Sequence, residues 1–445
     1  MCNGTIMDKL ISFSIPLMLS GILQLMFNAV DIVVVGRFSG SQALAAVGST
    51  TALINVFTNL FIGISLGANV LAARYYATGK TKEMSETVHT AIALALVSGV
   101  AMAVIGVVFA RGALEIMGTP DDVIAKSTLY MRIYFCGMPF FMMYNYGAAI
   151  LRAVGDTKRP LIFLIVSGVI NAVLNLFLVI GFHLDVAGVG IATVISQLVS
   201  CILVLRCLHH TESSYQLHLA KLRIRSVYLK QIFEVGVPAG IQSTVINISN
   251  AMLQSSVNSF GSIAMAGYTA SNNIFGFLYV SVNSFTQACM SFTSQNYGVK
   301  KLKRMDRVLI DCMILSVVVT LILGSSVYIF GPELLHIYSN QADVIKYGME
   351  IFSYTTVTYF LCGLMDLFPG ALRGMGYSTV PMILSIIGTV GVRIIWIYGL
   401  FPSHRSLTFL FLSYPVSWIA TIIMQVICYY FVRKKTYGQA AEKTA

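Results

Sequence analysis

The sequence predicts an all-α integral membrane fold, with twelve transmembrane helices in two pseudo-symmetric six-helix bundles. Three observations carry this. Of the 445 residues, 57% are hydrophobic and only 11% charged, with a mean hydropathy of +0.79; a soluble chain carries about a quarter charged residues. Apolar runs long enough to cross a bilayer as helices recur twelve times between polar or Gly/Pro breaks. The second half of the chain also repeats the first.

In order, the runs are 11–35, 44–72, 88–110, 123–150, 161–181 and 188–208, then 231–257, 263–293, 308–330, 343–370, 380–401 and 407–432. The polar-speckled runs 44–72 and 263–293 are the ones open to a tilt or a break. Asp8 and Lys9 precede a first run too long for a signal-peptide core and without a small-residue cleavage site, so it reads as a span that stays. The segment 209–230, with His209, His210 and alternating basic and apolar residues, reads as a cytoplasmic linker near the membrane surface. It separates an N-terminal half, 1–208, from a C-terminal half, 231–445.

Of the 29 Lys and Arg residues, 22, running from Lys9 to Lys443, fall on one set of alternating loops and span ends. Six lie on the other set: Arg37, Arg111, Lys126, Arg132, Lys346 and Arg405. Basic residues collect on the cytoplasmic side, which puts both termini there and the chain in the inner or plasma membrane. The net charge of +11 is therefore a topology signal, and no nucleic-acid partner is expected. The eight cysteines include no CxxC pair and read as small packing residues.

A shift of about 221 residues superposes the halves. Tyr76, Lys80, Lys82 and Met84 fall on Tyr297, Lys301, Lys303 and Met305; Leu151, Arg152, Gly155 and Pro160 fall on Leu372, Arg373, Gly376 and Pro381. With one residue of slippage, Pro16 and Asn28 match Pro238 and Asn250. Six spans per repeat keep both halves in the same orientation, an arrangement used by transporters whose site lies between halves that rock.

Polar residues inside the runs locate candidate sites. Ser20, Gln24, Asn28 and Asp31 share one face of the first span. An intramembrane carboxylate costs roughly 2.5–3.5 kcal/mol at mid-helix, so Asp31 reads as a functional acid. Asn171 and Asn175 lie one turn apart in the fifth span, and Thr193 follows in the sixth. In the second half, Asn247, Asn250 and Gln254 share a face of the seventh span, Asn272 and Gln287 stud the eighth, and Asp366 lies in the tenth. Arg393 is the basic residue well inside a span, and a buried pairing with Asp366 on the preceding helix is the reading favoured for it. Asp311 and Glu350, nearer span ends, read as solvated. Amides between helices serve first as glue.

No catalytic motif is present. Gly79-Lys80-Thr81 resembles the end of a phosphate-binding loop, but Arg74 stands where that motif needs glycine. The histidines lie in loops or at span ends. An enzyme is not expected, nor any resident cofactor or metal.

The chain resembles the multidrug and toxic compound extrusion (MATE) transporters, of the MOP flippase superfamily. The resemblance rests on Pro16 ahead of Phe27-Asn28-Ala29-Val30-Asp31, Leu44-Ala45-Ala46-Val47 opening the second span, Leu151 to Thr157 after the fourth, and Asn171 with Asn175. It implies a cation-coupled antiporter that exports amphipathic, cationic organic compounds by a rocker switch, as a monomer among membrane lipids. It also implies that Asp31 binds the coupling H⁺ or Na⁺ in a cluster completed by Asn171, Asn175 and Thr193, and that the first helix bends at Pro16. Archaeal-type relatives carry an acid where this chain has Asn175. Asp366 matches an acid of the bacterial drug-exporting branch. Two rival readings are a lipid-linked oligosaccharide flippase of the same superfamily, which needs several buried cations for an anionic cargo, and a passive channel, which needs no gradient.

Overall fold

The structure is a computed structural model that describes residues 1–442; Lys443, counted above with the cytoplasmic basic residues, lies outside them. Among the described residues the regular structure is entirely helical. A bilayer interior demands this, because each backbone N–H and C=O has to be satisfied within its own segment. The first half runs α1 (Met7–Phe38), α2 (Gly40–Ala77), α3 (Thr81–Ile116), α4 (Asp121–Cys136), α5 (Met138–Ala153), α6 (Lys158–Leu176, prolonged by a π-helical turn Phe177–Gly181) and α7 (Asp185–His209). The second runs α8 (Ser226–Asn258), α9 (Ser262–Gly298), α10 (Leu302–Ile329), the short α11 (Gly331–His336), α12 (Ala342–Thr355) and α13 (Tyr359–Gly374). It continues with α14 (Thr379–Ser385), α15 (Val392–Ile395), α16 (Leu407–Phe411) and α17 (Ser413–Glu442).

Eight helical stretches among the described residues are long and apolar enough to cross a membrane alone, and α12 with α13 makes a ninth, bent by 52°. The pair α4–α5 and the more polar α8 and α9 complete the twelve expected segments in order. Two expectations change in detail. The fourth and tenth spans are interrupted, after Cys136 and after Thr355. The runs open to a break are instead unbroken: α2 has 38 residues and α9 has 37. At 1.5 Å per residue each is roughly 55 Å long, well beyond a hydrocarbon core of about 30 Å.

The duplication is visible in backbone geometry. After α5, Gly155 at φ 100° donates to the Arg152 carbonyl and Asp156 to that of Leu151. After α13, Gly376 at φ 98° donates to Arg373 and Tyr377 to Leu372. Each is the same left-handed cap, closed at a glycine that needs no Cβ room.

The compact units do not follow the halves 1–208 and 231–445 marked by the repeat. One unit joins Met1–Met18 to the chain from Ile241 onward; the other is Leu19–Gly240. The chain thus changes unit just after Pro16 and just after Pro238. Helix α1 runs through Pro16 without interruption.

Each leading segment is fastened within its unit. In the Leu19–Gly240 unit, Gly63 and Gly67 of α2 face Gly236 and Gly240 of α8, both pairs four residues apart. A Cβ on Gly63 would stand 2.3 Å from the Gly240 Cα, and one on Gly236 2.5 Å from the Ile64 Cα. This is backbone-to-backbone packing of the small-xxx-small kind. In the other unit, Leu10, Phe13 and Leu17 of α1 are buried with Phe285, Cys289 and Phe292 of α9. There Phe13 meets Phe292 edge to face at 5.5 Å.

Polar straps reinforce both. Arg304 on α10 donates to the carbonyls of Met1 (3.2 Å) and Gly4 (2.8 Å), and Lys301 to that of Cys2 (2.9 Å). On α3, Glu86 accepts from Arg223 (2.5 Å) and Arg225 (3.2 Å) of the linker. One turn on, the His218 backbone N–H donates to His89 Nε2 at 3.0 Å. That leaves His89 Nδ1–H to donate to the Ser85 carbonyl at 2.6 Å, which fixes the neutral imidazole in one tautomer.

Gly63→Leu should drive side-chain atoms into the α8 backbone and cost about 1–3 kcal/mol or more, read as a lowered thermal midpoint, while the same change at Gly112, whose Cβ would meet nothing within 4 Å, should not. Glu86→Ala should release the linker: amide hydrogen exchange over residues 217–225 should rise severalfold, with α2 and α5 unchanged.

Candidate functional site

Asp31, on the last third of α1, is half-buried. Its carboxylate accepts a hydrogen bond from the Asn175 side-chain amide. The same Nδ2 lies 3.2 Å from Asn171 Oδ1, one turn earlier on α6. Asn175 is fully buried and Asn171 nearly so. The local sequence explains the placement: a spacing of four stacks the two amides on one stripe of α6, and the helix then opens into the π-helical turn Phe177–Gly181. The Asn175 carbonyl oxygen is buried and accepts nothing from the described residues. A buried acceptor without a donor is costly, so it marks a place where a proton donor or a cation is accommodated.

The structure thus brings together three of the four residues assigned to the N-terminal cluster. Thr193 is not among them. Its hydroxyl donates to the Val189 carbonyl of its own helix at 2.9 Å, as a short hydroxyl inside a helix readily does. Two residues that sequence reasoning missed are near instead. Tyr130 and Tyr134, one turn apart on α4, lie within electrostatic reach of Asp31. Their one signal in the sequence is that spacing. Gln24 and Asn28 are exposed on the face of α1 that leads to Asp31.

The second half holds a different arrangement. Arg393 sits on α15, a single α turn between two π-helical segments, Ile386–Gly391 and Trp396–Leu400. It is only 3% exposed. Its Nη1 donates to Asn250 Oδ1 on α8 at 2.7 Å, and its Nε to Ser417 Oγ on α17 at 3.3 Å. The guanidinium lies 4.7 Å over the Tyr414 ring, whose hydroxyl meets that of Tyr268 at 3.0 Å.

The expected Arg393–Asp366 pairing is therefore not made. None of the ion pairs among the described residues includes either side chain. Asp366 lies on α13 within reach of the charge of Arg373, two turns further along that helix, and Arg373 is held by Gln242 at 2.6 Å. Tyr279 of α9 is the other neighbour of Asp366. Asn247 and Gln254 are exposed one turn either side of Asn250. On α9, Asn272 is exposed, and Gln287 donates to Asn283 at 3.3 Å.

Two acids expected to be solvated are not. Asp311 is 2% exposed and pairs with Arg307 at 2.9 Å. Glu350 accepts from the Thr408 hydroxyl at 2.6 Å.

A model of the MatE family matches the chain twice, over residues 16–177 and 238–398. The first match starts at Pro16 and the second at Pro238. A probable multidrug resistance protein of Bacillus subtilis, YoeA, is 29% identical over 95% of this chain and 93% of its own length. The multidrug export protein MepA of Staphylococcus saprophyticus is 23% identical over 90% and 89%. Among solved structures, one described as "Crystal structure of MATE in the bent conformation" superposes with a TM-score of 0.88 over 99% of this chain and 98% of that one, at 19% identity.

Asn175→Ala should strip Asp31 of a charge-assisted hydrogen bond worth about 1.5–3 kcal/mol, lowering the thermal midpoint. Thr193→Val should stay within about 0.5 kcal/mol, since its hydroxyl serves its own helix alone.

Proposed function

This chain is a member of the MatE family of multi-pass membrane transporters, and on that premise we propose that it is a cation-coupled antiporter exporting amphipathic organic compounds. The observation that carries the proposal is the Asp31–Asn175–Asn171 cluster, whose carboxylate has no cationic partner in any ion pair among the described residues.

The chemistry follows from the amide. Ionised Asp31 takes the Asn175 N–H as its donor. When Asp31 binds a proton its O–H becomes a donor, and the acceptor standing ready is the otherwise orphaned Asn175 carbonyl oxygen. A half-turn of one amide thus lets a buried group match either protonation state. A Na⁺ ion would be met by the same carboxylate and amide oxygens, a sparse set for a cation that prefers several oxygen ligands. The proton is therefore the coupling ion we favour. Neutralising Asp31 removes the cost of burying that face of α1. The chain passes from one unit to the other just beyond Pro16, so this is where a rocker switch couples to a bend. Each proton moving inward releases about 2.3 kcal/mol per 100 mV, enough to expel a cargo against a severalfold gradient.

In this reading the termini and the Glu86 and Arg304 straps lie on the cytoplasmic side. The cargo is cationic where it approaches the α1 face of Gln24, Asn28 and Asp31. The multidrug proteins similar to this chain support that cargo class.

In proteoliposomes loaded with a cationic dye, efflux should follow an imposed pH gradient and be insensitive to a Na⁺ gradient at fixed pH. Asp31→Asn should abolish gradient-driven efflux, a loss of tenfold or more, while leaving dye binding within severalfold. Full efflux by Asp31→Asn, or transport indifferent to both gradients, would rule the mechanism out.

A further inference from the structure

We propose that Arg393 is a receptor for the acidic group of a zwitterionic cargo, so that the C-terminal unit selects carboxylate-bearing amphiphiles in addition to plain lipophilic cations. This rests on the efflux reading above and adds a substrate class to it.

The argument starts from an unbalanced charge. Arg393 is 97% buried by its 3% exposure, yet every group that holds it is neutral: the Asn250 amide, the Ser417 hydroxyl and the Tyr414 ring. No carboxylate pairs with it among the described residues, and Asp366, the acid nearest in sequence logic, is engaged elsewhere. A guanidinium has five N–H donors in a planar fork. Nε and Nη1 are used; Nη2 has no acceptor among the described residues. A buried cation that is oriented but not neutralised is a poor structural element and a suitable anion receptor.

Its surroundings say how an anion would be held. Tyr414 fixes one face of the guanidinium plane, while Asn250 and Ser417 fix its rotation. That presents the Nη2 edge in a set direction, the geometry a carboxylate reads with two oxygens. Asn250 is half-buried, and the residues one turn either side of it, Asn247 and Gln254, are exposed. An amide-bearing helix face is costly against hydrocarbon, so this face of α8 borders water. The receptor thus sits at the margin of a wet surface, with aromatic rings behind it to take the apolar body of the cargo. Its chemistry is opposite to that of the Asp31 cluster, where an acid is held by amides.

The test uses a pair of compounds that differ in one group: rhodamine B, whose free carboxylate makes it a zwitterion, and its ethyl ester, a plain cation. With purified full-length protein, Arg393→Gln should weaken binding of the free acid at least tenfold and leave the ester within twofold; Arg393→Lys should keep part of the free-acid binding. Retained ester binding also certifies that the variant is folded. In wild-type proteoliposomes, excess benzoate should inhibit export of the free acid and not of the ester. If Arg393→Gln weakens both compounds alike, or neither, and benzoate fails to discriminate, the inference is wrong while the efflux reading stands. Failure of the wild type to export either compound under any gradient would overturn the efflux reading, and the inference with it.

Discussion

The approach of α2 and α8 at four glycines is the constraint on which the first unit depends. Gly63, Gly67, Gly236 and Gly240 let two backbones touch where any side chain would overlap the partner's main chain. Lipid offers no hydrophobic drive for one helix to leave it for another, so close van der Waals packing has to supply the association. The leading part of α8 is thereby fixed to the helices of the N-terminal half. The leading part of α1 has a softer attachment in its own unit, made of phenyl rings, aliphatic side chains and carbonyls gripped by Arg304 and Lys301. Side chains can change rotamer, whereas backbones in contact cannot. Of two helices related by duplication, the one free to repack is the one that carries the acid.

The duplication also separates polarity. The register that takes Pro16 to Pro238 takes Asn28 to Asn250 and Asn171 to Arg393. In the first half, an acid on the leading helix is met by amides of the fifth span. In the second, an amide on the leading helix is met by a cation of the fifth span. One scaffold thus carries sites of opposite sign at corresponding places. Removing a partner from a buried charge is costed at about 3–5 kcal/mol, so neither arrangement is incidental to stability.

How much of this the sequence carried depends on the range of the interaction. The spans and their order were legible from apolar runs, and the N-terminal cluster from amides spaced by four residues and an acid out of place in lipid. These are local signals. The partner of Arg393 was not legible: proximity along the chain favoured Asp366, but Asn250 lies 143 residues away. The π-helical segments on both sides of Arg393 change the face that a regular period would assign to it. Thr193 had the right type and span but spends its hydroxyl within its own helix. The glycine spacings in α2 and α8 were present in the sequence, yet each meant little until the other was seen against it.

The π-helical segments of the last spans have a consequence for how such a chain tolerates insertions and deletions. Each π turn holds one residue more than the α turn it replaces, and α15 is a single ordinary turn between two of them. Losing one residue from Ile386–Gly391 would restore an α-helix and rotate everything beyond by about 100°. Arg393 would then turn from Asn250 towards another neighbour or the lipid. The direction of this one charge is thus recorded in the residue count of the segment before it, and a one-codon change in length would reach it without altering any side chain it touches.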